Sequence, residues 1–65
     1  MIILYTNDCP RCKVLKAKLD QKNISYEINN DQGYMISIGI QSVPMLEIDG
    51  ELLDFNEAIK WVNNK

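Results

Sequence analysis

No histidine occurs among the 65 residues, and the chain holds a single Trp, a single Phe, two Pro and two Cys. Without His the commonest general base and the commonest metal ligand are both missing, and a cysteine–histidine hydrolase is excluded. Long apolar runs are also missing. The opening stretch Met1–Leu4 is too short for a signal peptide or a membrane span, and no basic region precedes it. The expectation is therefore a soluble, cytoplasmic protein with no membrane partner. Nor is there an excess of one charge. Seven basic and nine acidic residues leave a net −2 and are interspersed, which argues against a nucleic-acid-binding surface. A hydrophobic share of 46% excludes a disordered tail, a collagen-like repeat and a mucin-like stalk. The length allows one domain, residues 1–65, and a chain this short hides only about 60% of its unfolded surface on folding.

The cysteines stand three positions apart as Cys9-Pro10-Arg11-Cys12. A bridge closing so short a loop removes little entropy from the unfolded chain and is a poor staple. Zinc held by both sulfurs would need two further ligands from a partner or a second copy. A redox-active pair needs nothing more than the two sulfurs, and a lone close pair in a reducing compartment favours that use.

Ile2-Ile3-Leu4-Tyr5 is a continuous β-favouring run, suited to a strand buried on both faces. Pro10 is tolerated in a first helical turn, and Val14 to Lys22 is rich in Leu, Lys and Ala. Cys12, Leu15 and Leu19 form an inward stripe while Lys13, Lys16 and Lys18 reach water, and Asn23 ends the helix in a left-handed conformation. Ile24 to Ile28 alternates and predicts a second strand, parallel to the first through a right-handed crossover. Gly33 to Ile38 predicts a short helix closed by Gly39. Pro44 to Ile48 predicts a strand, Asp49-Gly50 a two-residue turn, and Glu51 to Leu53 the returning strand. Asp54 and Glu57 form a capping box for a last helix with Phe55, Ala58, Ile59 and Val62 on its apolar face. The fold class is α/β with the order β-α-β-α-β-β-α, a four-stranded mixed sheet and helices on both faces.

Cys9 falls where a strand gives way to a helix. The free N–H groups of a first turn and the positive end of the helix dipole favour an anion there. Cysteines so placed have pKa values of roughly 3.5–7.5 instead of about 8.5. Arg11 and Lys13 add positive charge and Asp8 opposes it, so a lowered Cys9 pKa is expected. Cys12, one turn on, points toward the apolar stripe. The asymmetry makes Cys9 the attacking thiol and Cys12 the one that resolves the mixed disulfide.

Cys-Pro-x-Cys after the first strand, followed by Ser42-Val43-Pro44 before a hairpin, resembles the glutaredoxins and related small redoxins of the thioredoxin fold. The resemblance covers nearly the whole chain, and Cys-Pro-Arg-Cys-Lys looks like the minimal glutaredoxin-like proteins of phages, bacteria and archaea. It implies a monomeric thiol–disulfide oxidoreductase with no permanent cofactor, acting on disulfides in proteins or small molecules. Cys9 matches the nucleophile, Cys12 the resolving cysteine and Pro44 the family's cis-proline. Val43 matches the residue whose backbone pairs with substrate. Tyr5 is placed near the active site by the same resemblance, a packed core Tyr being the other reading, and Pro10 and Arg11 of the motif are taken as substrate contacts. Trp61 and Phe55 read as core or helix-surface residues.

Two features depart from the glutathione-using members. Tyr5 to Asp8 contains no Lys, and Leu52-Leu53-Asp54 stands where a Gly-Gly motif is usual. Asp54 and Asn56 either hold a glutamyl group at the last helix or simply cap it. Two electron sources therefore stay open. One is glutathione, favoured by the Cys-Pro-x-Cys pattern. The other is thioredoxin reductase, as in redoxins that serve ribonucleotide reductase, although their aromatic and Arg-Pro signature near the last helix is also missing. A module binding a metal or an iron–sulfur cluster between subunits through Cys9 is the reading from another class.

Overall fold

The computed structural model describes residues 1–65 and contains seven elements. These are β1 (Ile2–Tyr5), α1 (Pro10–Gln21), β2 (Glu27–Asn29), α2 (Gln32–Ser37), β3 (Met45–Ile48), β4 (Glu51–Leu53) and α3 (Phe55–Asn63). The strands form one sheet in the order β2-β1-β3-β4. β1 runs parallel to β2 and antiparallel to β3, and β3–β4 is an antiparallel hairpin. The hairpin turns through Asp49 (φ 50°) and Gly50 (φ 91°), the paired positive φ values that a tight turn between right-twisted strands requires. No helix is long and apolar enough to cross a membrane.

β1 is an inner strand and its two faces feed two cores, as its unbroken apolar run predicts. Leu4 packs with Leu15 and Leu19 of α1, Leu46 of β3, and Ala58 and Val62 of α3. On the opposite face Tyr5 packs with Met35 of α2 and with Ile40, and Ile3, Val43 and Met45 border them. Helices α1 and α3 thus cover one face and α2 the other. The α3 capping box forms as expected. The Asp54 carboxylate accepts from the Glu57 N–H at 2.8 Å, and the Glu57 carboxylate accepts from the Asp54 N–H at 3.2 Å.

Element boundaries differ from expectation at β2, at α2 (Gln32–Ser37 in place of Gly33–Ile38) and at β3, and one backbone motif explains the largest shift. The second strand begins at Glu27, not at Ile24. Asn23, at φ 57°, is the left-handed residue that ends α1. Its N–H donates to the Asp20 carbonyl and that of Ile24 to the Leu19 carbonyl, both at 3.1 Å. This pair of bonds is a Schellman motif. Ile24 spends its donor closing the helix, with its side chain against the same core as Leu19, so the ladder starts later. The same motif ends α2 at Gly39 (φ 88°), where the Ile40 N–H reaches the Met35 carbonyl at 2.9 Å. The third strand begins at Met45, one residue past Pro44, which has no N–H to donate.

Candidate active site

The segment leaving β1 is short and tightly tied. Thr6 is buried, and its hydroxyl oxygen accepts the Asp8 N–H at 3.2 Å. Asp8 adopts φ 65°, a left-handed turn that Asp tolerates better than most residues. That turn delivers Cys9 to the N-cap of α1 in extended conformation, with Pro10 in the first turn. Cys9 Sγ accepts the Cys12 N–H at 3.1 Å. It is thus the capping side chain, a role usually filled by Ser, Thr, Asp or Asn. Cys9 is half-buried, whereas Cys12 is 1% exposed, and both are free thiols. The Cys12 thiol lies 3.8 Å from Asn7 Oδ1.

The opposite wall comes from the chain before β3. The Val43–Pro44 peptide is cis, and Pro44 is buried. The Cys9 thiol lies 3.9 Å from the Val43 carbonyl oxygen, across 34 positions of sequence. The Val43 N–H takes no part in the backbone hydrogen-bond network. Beside it opens a cleft of about 230 Å³, bounded by Asn7 on one side and by Met35, Ile40 and Val43 on the other.

The two thiols share protons. The Cys12 thiol and burial push Cys9 up, while the N–H groups of Cys12 and Arg11 pull it down by less. Burial pushes Cys12 up, but contacts with Cys9, Thr6 and the N–H groups of Asn7 and Cys9 bring it below the ordinary thiol value. This corrects the expected lowering of Cys9. The helix N–H groups act in the expected sense, but once Cys12 has lost its proton its charge opposes a second one on Cys9 and outweighs them. Such a pair loses its first proton early and its second late.

Tyr5 is not a cleft residue, contrary to the expectation of a substrate contact. It is fully buried under α2, where its ring stacks on Tyr34 with centroids 6.3 Å apart. Its hydroxyl donates to Glu47 at 2.9 Å. Burial first, then the Glu47 bond, push its pKa up to about 12. Arg11 is exposed and its guanidinium lies over the Phe55 ring, 5.6 Å from the centroid. Its charge therefore sits against the start of α3. Pro10 is exposed beside Cys9. The sequence reading missed Met35, Ile36 and Ile40 as cleft residues. A signal was present, because Tyr34-Met35-Ile36 puts more apolar surface on a six-residue helix than one buried stripe can absorb. No group of three or more Cys, Asp or Glu side chains is gathered as a metal-binding set.

The family model described as Glutaredoxin matches residues 2–53, a stretch that contains Cys9, Cys12 and the cis-Pro44 and ends with β4. Searches of curated proteins and of solved structures gave no match. The four-stranded mixed sheet, the Cys-Pro-Arg-Cys segment capping the first helix and the family match over most of the chain agree, and the chain belongs to the glutaredoxin family.

Proposed function

We propose that this member of a family of thiol–disulfide oxidoreductases is a dithiol reductant, with Cys9 as the attacking sulfur and Cys12 as the resolving one. One observation carries the reading. Cys9 Sγ is partly open to solvent and accepts the Cys12 N–H at 3.1 Å, while Cys12 is sealed in the α1 stripe. The pair shares its first charge, and the form that attacks is the one with the charge on Cys9, the sulfur that holds the N-cap and faces the helix dipole.

The Cys9 thiolate attacks one sulfur of a substrate disulfide, forming a mixed disulfide and releasing the first substrate thiol. Cys12 gives up its proton and attacks Cys9 Sγ, and the second substrate thiol leaves. Two electrons pass to the substrate, and the protein ends with a Cys9–Cys12 disulfide. The Val43 carbonyl and its unused N–H stand beside Cys9 and suit an extended substrate segment laid as an added strand. Glutathione or thioredoxin reductase then returns the two electrons.

Mass spectrometry of Cys12→Ser incubated with a disulfide tests the roles. A stable adduct on Cys9 is expected, and Cys9→Ser should form none. An adduct confined to Cys12 in Cys9→Ser, with none in Cys12→Ser, would reverse the assignment. NADPH consumption with each reducing system would identify the electron source.

A further inference from the structure

We propose that the cleft beside Val43 selects disulfides carried on an extended protein segment with an uncharged, apolar side chain next to the cysteine, and that it disfavours glutathione. This rests on the oxidoreductase reading above and names the substrate class of the same site.

The argument begins with what lines the cleft. Four residues are apolar, Met35, Ile36, Ile40 and Val43. The other four, Asn7, Gln32, Gln41 and Ser42, are polar and uncharged. No cation is present to meet a carboxylate. The nearest charges along the chain are Asp8, after Asn7, and Asp31, before Gln32, and both are exposed acids. The Asp31 carboxylate accepts the Tyr34 N–H at 3.1 Å, which holds it at the start of α2.

The basic residues near the motif do not line this cleft. Arg11 lies over Phe55 at the start of α3. Lys13 and Lys16 line a second hollow of about 80 Å³ together with Thr6, Asp8, Cys12, Ile28 and Asn30, and neither lysine lines the cleft beside Val43. Glutathione carries two carboxylates and one ammonium group, and a carboxylate laid in this cleft meets no cation. Desolvating a carboxylate with no partner is unfavourable.

The apolar side of the cleft gives the positive half of the argument. Ile36 is 74% exposed, and it adjoins Met35, Ile40 and Val43 in one surface that leads to Cys9. A leucine-sized side chain on the substrate would cover Ile36 while the substrate backbone meets Val43. The amides of Gln32 and Gln41 are suited to peptide groups, which need both a donor and an acceptor.

The test uses the reduced full chain in single-turnover reactions with three disulfides. Two are short peptides, identical except for Leu or Glu beside the cysteine, each joined to the same small leaving thiol. The third is oxidised glutathione. The Leu peptide should react about tenfold faster than the Glu peptide, in line with partial burial of one leucine, and faster than oxidised glutathione. Equal rates, or glutathione as the fastest substrate, would overturn the proposal and leave the oxidoreductase reading intact. No reduction of any of the three would overturn that reading itself. Ile36→Lys, at an exposed position, should slow the Leu peptide and speed oxidised glutathione, with an unchanged circular dichroism spectrum confirming the fold. An unaltered ratio of the two rates in that variant would also count against the proposal.

Discussion

The backbone N–H of Cys12 meets the sulfur of Cys9 at 3.1 Å, across one turn of α1. Cys12 therefore supports the Cys9 sulfur through its main chain, whatever the state of its own thiol. The Cys9 cap survives loss of the Cys12 side chain, which separates the two cysteines experimentally.

Alkylation should report this asymmetry. With Cys12 lowered and Cys9 raised as a coupled pair, the first proton leaves below the pH of an ordinary thiol. Iodoacetamide reactivity should rise through that lower inflection as pH increases. Peptide mapping should find the label on Cys9, because Cys12 is 1% exposed. Early labelling of Cys12 would contradict the proposed roles.

Asp54 and Glu57 satisfy each other's backbone donors at the start of α3. Asp54→Ala should lower stability by about 1 kcal/mol, which in a domain of this size moves Tm down by about 4–8 °C. A thermal melt followed by circular dichroism measures it. Because Asp54 already serves as the cap, reduction of the Leu peptide should change little.

Asn23 stands at φ 57° and closes α1. Asn23→Ala should cost about 1 kcal/mol, since a Cβ without a local hydrogen-bonding group disfavours the left-handed region. Asn23→Gly should be neutral or stabilising. Urea unfolding of the three proteins gives the order, and equal midpoints for Ala and Gly would show that the conformation at this position is unimportant.

Tyr5 and Tyr26 are both pushed up to about 12, chiefly by burial and then by their hydrogen bonds to Glu47 and Asp20. In the unfolded chain a tyrosine ionises near about 10. Their contribution to stability is therefore complete below about pH 10 and is lost as pH rises toward 12, where only the unfolded state has released these protons. Tyrosinate absorbance should show Tyr5 and Tyr26 titrating late, and stability to urea should fall over the same interval.

Much of the architecture could be read from local pattern. The continuous run Ile2–Tyr5 marked an inner strand, and it packs on both faces. Asp49-Gly50 and the Asp54/Glu57 pair need only neighbouring residues, so their geometry follows from short-range chemistry. The start of the second strand was misread because alternation in Ile24–Ile28 cannot show that the Ile24 N–H is already used to end a helix. Tyr5 was also misplaced. The resemblance put it near the substrate, and the alternation of side chains along β1 turns its ring under α2 instead.

The order of residues was enough to single out the cysteine pair, to place it at a strand-to-helix junction and to suggest a difference in exposure between its sulfurs. Those properties depend on contacts within one helical turn. The tertiary structure decided what lies opposite Cys9. Val43 arrives from 34 positions away, and α2 contributes Met35 and Ile36 to the same wall. It also decided where charge is absent, since Arg11 is drawn to Phe55 and the cleft is left neutral. Electrostatic environment depends on distances through space between residues remote in sequence, and only the folded chain sets them.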